Sequence, residues 1–171
     1  MVTSIKGNDT STFGGEIKTN NDSIISNRPV VRVDLSADQS ISDATWTKVQ
    51  LDTIVTDTDS AYDATTNYRF TVPSNKAGLY QISAMAGYDV GANTNLVRNI
   101  LQIQKNGSFY YPRADQNFTA SYARYGYLSL NIIVDLIEGD YIELFAYCDD
   151  TSGNPVLDAA NCSISIHKLI G

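Results

Sequence analysis

An all-β fold, built as an antiparallel sandwich of about ten short strands, is what this sequence predicts, and three observations point to it. Apolar and polar residues alternate with a two-residue period in several separate stretches. The clearest runs through Leu128, Leu130, Ile132, Val134 and Leu136, interleaved with Tyr127, Ser129, Asn131, Ile133 and Asp135. Charged residues make up only 18% of a chain that is 43% hydrophobic, and Thr, Ser, Asn, Tyr and Val are plentiful, which suits half-buried strands and polar loops. Turn-forming clusters, Asn106-Gly107 among them, separate the alternating runs. At 171 residues the chain has the size for one core and one domain.

Residues 1–28 are rich in Asn, Thr, Ser and Gly and carry few large apolar groups, so they are expected to form a polar arm ahead of a domain spanning 29–171. Phe13, Ile17, Ile24 and Ile25 are the exceptions and are the candidates for anchoring that arm on a partner. From Pro29 the pattern changes. Val31, Val33 and Leu35 alternate with Arg32 and Asp34, giving a half-buried strand, and Trp46–Leu51 and Thr53–Val55 continue in the same way. The segment from Asp57 to Asp63 reads as a loop. Tyr68–Pro73 and Leu79–Tyr88 form the next pair, with Tyr80, Ile82, Ala84 and Ala86 on one face. Asn99–Lys105 ends at Asn106-Gly107, a dipeptide that accepts positive φ and so makes a tight hairpin turn. The Leu128–Leu136 strand is followed by Gly139-Asp140, and Cys162–Ile170 closes the chain.

The spacing of Leu51, Asp57, Tyr62, Phe70, Gly78, Tyr80, Ile82 and Ala84 resembles the signature of C1q-like domains, a branch of the tumour-necrosis-factor-like jelly rolls. Leu51 and Ala84 stand where the family prefers aromatics, and the longer spacings from Tyr62 to Gly78 read as loop-length variation. Leu136, Gly139, Asp140, Ile142 and Leu144 are similar to a second family motif, and the closing strand resembles the family's last, with Lys168 at an apolar position. The resemblance implies an antiparallel jelly roll over 29–171, with the Tyr80 face as core and a homotrimer as the assembled form.

Enzymatic function is not expected. His167 is the single histidine and sits between Ile166 and Lys168 on a strand, so no zinc cluster forms around histidines, and no Gly-x-Ser-x-Gly elbow, phosphate loop or dinucleotide fingerprint occurs. The net charge of −7, with 12 scattered Lys and Arg, argues against a nucleic-acid partner. No window approaches the ~20 apolar residues of a membrane span, and the N-terminal residues lack the apolar core of a secretory signal. No cofactor is expected. The weak candidates for a Ca2+ site are Asp57, Asp59 and Asp63, but the remainder of an EF-hand loop is missing, which favours their reading as solvated turn residues.

Tyr110, Tyr111, Tyr122 and Tyr125 belong to a tyrosine-rich stretch and are the candidate ligand or trimer contacts, because tyrosine offers contact area at low entropic cost with a polar tip. Packing within the trimer is favoured over receptor contact. Cys148 and Cys162 share the parity of inward residues and form either a disulfide or, as cytoplasmic assembly favours, two buried thiols. A C1q-like head on a polar arm, without a collagen-like stalk, leads to the expectation of a bacteriophage virion surface protein assembled in the host cytoplasm. The role expected is a capsid decoration, cement or head-fibre trimer held to other virion proteins by its arm. The alternative is the receptor-binding tip of a tail fibre or baseplate, gripping host-surface glycan through Tyr-rich loops.

Overall fold

The computed structural model describes residues 28–91, 94–153 and 155–170, the side chains of 111 and 112 excepted. The expected arm, with Phe13, Ile17, Ile24 and Ile25, lies outside the described residues apart from Arg28. Twelve strands and no helix are found among those described: β1 (Val30–Asp34), β2 (Gln39–Ser40), β3 (Thr47–Lys48), β4 (Thr53–Asp57), β5 (Tyr62–Asp63), β6 (Arg69–Thr71), β7 (Gly78–Asp89), β8 (Leu96–Lys105), β9 (Ser108–Asn117), β10 (Tyr125–Leu136), β11 (Tyr141–Asp150) and β12 (Val156–Ile170).

One sheet runs β10-β7-β12-β1-β4, with β2 also on β12, and the other runs β5-β6-β11-β8-β9, with β3 also on β11. Every pairing is antiparallel. After β4 the chain enters the second sheet for β5 and β6, returns for β7, leaves for β8 and β9, and then alternates sheets through β10, β11 and β12. This exchange between layers, expected from the resemblance, makes the sandwich a jelly roll.

The alternation read from sequence decides which faces meet. From β7, Tyr80, Ile82, Ala84 and Ala86 point inward, joined by Leu128, Leu130, Val134 and Leu136 of β10 and by Ile164 and Ile166 of β12. The second sheet answers with Phe70, Leu101, Ile103, Ile142, Leu144 and Ala146. Burying each large side chain contributes about 1.5–3 kcal/mol. Within the signature, Leu51, Phe70 and Tyr80 are wholly buried, and the Phe70 and Tyr80 rings meet at 5.6 Å between centroids. The Tyr80 hydroxyl donates to the Lys76 carbonyl at 2.6 Å, which removes the cost of burying a phenol. Lys168 keeps the register of Ile164 and Ile166 and is itself buried.

Asn106 and Gly107 adopt φ of 53° and 75°, as the two-residue turn requires. The Asp140 carboxylate accepts from the Asn106 side chain at 2.7 Å, from Ile137 N–H at 3.0 Å and from Lys105 Nζ at 2.9 Å. That residue ties the β8–β9 turn to the β10–β11 turn, which gives the Gly139-Asp140 motif its physical reason. Cys148 and Cys162 are both free and buried. Their thiols are pushed up to about 12 and about 11 by burial.

One expectation needs correction. The tyrosine-rich stretch from Phe109 is a strand over Ser108–Asn117, not a loop. Once the Asn106-Gly107 turn reverses the chain, its backbone pairs with β8 from Ser108 to Asn117, across an irregularity at Gln102/Ile103. An edge strand with exposure on both faces has no clean apolar alternation, so the sequence pattern did not reveal it.

Candidate interaction surface

The face of the first sheet turned away from the core is the most distinctive surface. Because β10 sends Leu128, Leu130 and Leu136 inward, the residues of opposite parity must point out, and three of them are large and apolar: Tyr125 is 41% exposed, Tyr127 52% and Ile133 59%. Ile137, just past the strand, is 65% exposed, and Met85 lies beside them on β7, opposite Ser129. Between these residues, Ser83, Ser129, Ser163 and Ser165 leave a shallow groove of about 380 Å³. Small side chains there let another backbone or side chain approach closely.

β10 also ends its sheet, pairing with β7 alone. A twelve-residue edge strand flanked by exposed Tyr and Ile is the kind of edge that proteins cover, since unpaired N–H and C=O groups otherwise recruit other chains. The opposite edge, β4, exposes Ile54 and Val55.

The candidate tyrosines do not form a single cluster. Tyr110 sits on β9 opposite Ile103, 36% exposed, with Lys105 Nζ 5.8 Å from its ring centroid. Tyr122 lies in the β9–β10 connection, beside the Leu96–Ala123 bridge at the other end of β8. Tyr125 opens β10, its ring 4.5 Å from the Arg124 guanidinium and stacked on Tyr127 at 6.4 Å. Ile103 and Leu96 are seven positions apart on one strand, so Tyr110 and Tyr122 are separated by roughly 20 Å along it. The Tyr111 side chain lies outside the described residues. Tyr125 joins Tyr127 and Ile133 on the outer face of β10, whereas Tyr110 belongs to a different surface. Sequence reasoning passed over Ile133, Ile137 and Met85 as contact residues. The signal was available for Ile133, an apolar residue at an outward parity in the clearest alternation of the chain.

The calcium candidates are otherwise engaged. Asp57 accepts backbone N–H groups of Asp59, Ala61 and Tyr62 at 3.3, 3.0 and 2.9 Å. Asp63 accepts those of Thr65, Thr66 and Asn67, bonds led by Thr66 and Thr65 that hold its carboxyl well below the usual range. Asp59 accepts from the Thr58 hydroxyl at 2.7 Å and stands 3.9 Å from Lys76 Nζ. Asp57 and Asp63 shape the β4–β6 connection by capping its N–H groups. Among the described residues no group of three His, Cys, Asp or Glu side chains is placed to hold a metal ion. His167 lies half-buried on the outer face of β12 beside Gln81.

No family model matches the chain, and no curated protein matches it in sequence. Solved structures match its fold. Murine APRIL, crystallised at pH 8.0, aligns over 84% of this chain and 100% of its own with a TM-score of 0.56 at 14% identity. The globular domain of the zebrafish complement 1qA protein aligns over 84% of this chain and 98% of its own with a TM-score of 0.53, also at 14% identity. The two-sheet topology and these likenesses together make the described chain, in fold, an antiparallel jelly roll of the C1q/TNF type.

Proposed function

We propose that this chain is a non-enzymatic structural module that assembles as a homotrimer through the outer face of the β10 sheet. The observation that carries it is the exposed apolar edge of β10, where Tyr127, Ile133 and Ile137 stand in solvent above a serine-lined groove. A second copy of the same face, or of the adjoining edge, would cover both the apolar side chains and the open strand backbone. The C1q/TNF-like fold supports the choice of a trimer. The place of the trimer is a virion surface, as a capsid decoration, cement or head-fibre module mounted by residues 1–28. That assignment carries over the expectation from sequence: a C1q-like head behind a polar arm containing no Gly-X-Y repeat.

Sedimentation equilibrium tests the assembly. The native chain should run at three times its 18.7 kDa mass, and Tyr127→Ser/Ile133→Asp should run as a folded monomer. A monomeric native chain, or a double variant that remains trimeric, overturns this reading. Removal of residues 1–28 should leave the trimer intact and abolish its incorporation into particles. The exposed rings of Tyr122 and Tyr125 favour a second reading, the host-binding tip. It predicts that the isolated head binds host cells and that Tyr122→Ala loses that binding without losing the trimer.

A further inference from the structure

Three connections converge where β11 ends at Asp150. The Asp150 N–H donates to Asp43 Oδ1 at 2.9 Å, and the Ala44 N–H donates to the Cys148 carbonyl at 2.7 Å, which fixes the β2–β3 connection against the end of β11. The Thr151 N–H donates to the Asn95 carbonyl at 3.0 Å, bringing in the connection between β7 and β8. Gly153 belongs to the β11–β12 connection. A Cβ built there would stand 3.1 Å from the Val90 carbonyl oxygen and 3.7 Å from Asp150 Oδ1. The missing side chain is what keeps the space between that carbonyl and that carboxylate open.

Asp150 is only 9% exposed, and its Oδ2 has no hydrogen-bond partner among the described residues. Burial first, then the charges of Asp43 and Asp149, raise its pKa. The cations of the neighbourhood are committed elsewhere. Arg98 holds Asp115 through two bonds of 3.0 and 2.5 Å, and Arg124 pairs with Asp89 at 3.5 Å. Asp149 stands opposite Arg98 in the β11–β8 register. A buried carboxylate oxygen without a partner among the described residues, close to the Asp43 carboxylate that accepts the Asp150 N–H, is costly unless a proton or a cation neutralises it. The Asp43 and Asp150 carboxylates and the Val90 carbonyl all offer oxygen, the chemistry preferred by hard cations, which take about six to eight oxygens at ~2.3–2.6 Å and complete the set with water.

We propose that Asp150, Asp43 and the Val90 carbonyl, opening onto Gly153, form a binding site for one hard divalent cation of the calcium type. Two carboxylates balance the charge of the ion, and its binding ties together the β2–β3, β7–β8 and β11–β12 connections. The site is separate from Asp57, Asp59 and Asp63 and does not depend on the self-association reading.

Calorimetric titration of the full chain with CaCl2 alone, after treatment with chelator, tests this up to about 5 mM, several-fold above the ~10⁻⁴–10⁻³ M range of weak calcium modules. One ion per chain is expected. Asp150→Asn, which keeps the shape of the side chain, should weaken binding at least tenfold by the loss of a charged ligand; Asp43→Asn, on the exposed connection, serves the same purpose if Asp150→Asn does not fold. Gly153→Ala should weaken binding several-fold with the charge unchanged, and Asp57→Asn should leave it unaltered. No uptake by the native chain overturns the proposal. Uptake that survives both Asp150→Asn and Asp43→Asn puts the ion elsewhere and also overturns it.

Discussion

Replacing Asp57 by Ala should destabilise the fold by about 2–3 kcal/mol, since its carboxylate caps the β4–β5 connection through charge-assisted bonds to main-chain N–H groups. Of the three contacts, that to Asp59 is long at 3.3 Å and is left out of the sum. Those to Ala61 at 3.0 Å and Tyr62 at 2.9 Å are well formed, in a partly buried setting where water replaces the lost oxygen poorly. Each such bond contributes about 1–1.5 kcal/mol, and for a chain of this size the sum lowers Tm by about 5–10 °C. The loss reaches the core because Tyr62, 8% exposed, pairs with Phe70 across β5 and β6. Asp57→Asn keeps Oδ1 as an acceptor but turns an amide toward the Tyr62 N–H, and should cost about half as much. Urea unfolding followed by far-ultraviolet circular dichroism and by fluorescence of Trp46, the single tryptophan, measures this. Protein concentration must be held constant, because self-association couples stability to it. Asp59→Ala is the control: its carboxylate takes a hydroxyl and a distant ammonium and caps no main-chain N–H among the described residues, so the change should cost about 1 kcal/mol, less than Asp57→Ala. Equal costs for the two variants, or an Asp57→Ala protein as stable as the native one, would refute the capping role.

Two further outcomes follow from packing. Gly126→Ala should cost about 1–3 kcal/mol through overpacking, since a Cβ there would meet Asn99 Nδ2 at 2.5 Å and Leu96 Cδ2 at 2.9 Å; Asn99→Ala in the same chain should return part of that stability in the same urea assay, as it removes the nearest clash and a buried amide without partners. Cys148 and Cys162 should be inert to Ellman's reagent in the native protein, being buried with raised pKa values, and both should react in denaturant without prior reduction. Finding fewer than two reactive thiols there would reveal a bond absent from this structure.

Much of the architecture was legible because strand alternation has a fixed period. Tyr80, Ile82, Ala84 and Ala86, and Leu128 through Leu136, were placed on their faces by parity, and burial of these residues in the structure agrees. The hairpin at Asn106-Gly107 was equally local, since positive φ at two successive positions is a property of those residue types. β9 was not legible. An edge strand exposed on both sides is held by backbone bonds to β8, and backbone bonds leave no mark in side-chain sequence.

The candidate site divides along the same line. The amino-acid sequence by itself determined an all-β chain, its inward faces, its turn positions and the absence of a recognisable catalytic motif, because each depends on residues close together in the chain. The capping of nearby main-chain N–H groups by Asp57 and Asp63 is local in the same sense, whereas tertiary structure alone decided which strands stand at the edges of the two sheets. It also set Tyr110 and Tyr122 at opposite ends of β8, raised Tyr127 and Ile133 on an open edge, and brought Asp43, Val90 and Asp150 together from three connections. Those relations arise from the order in which strands join the two sheets, which spacing along a single chain does not encode.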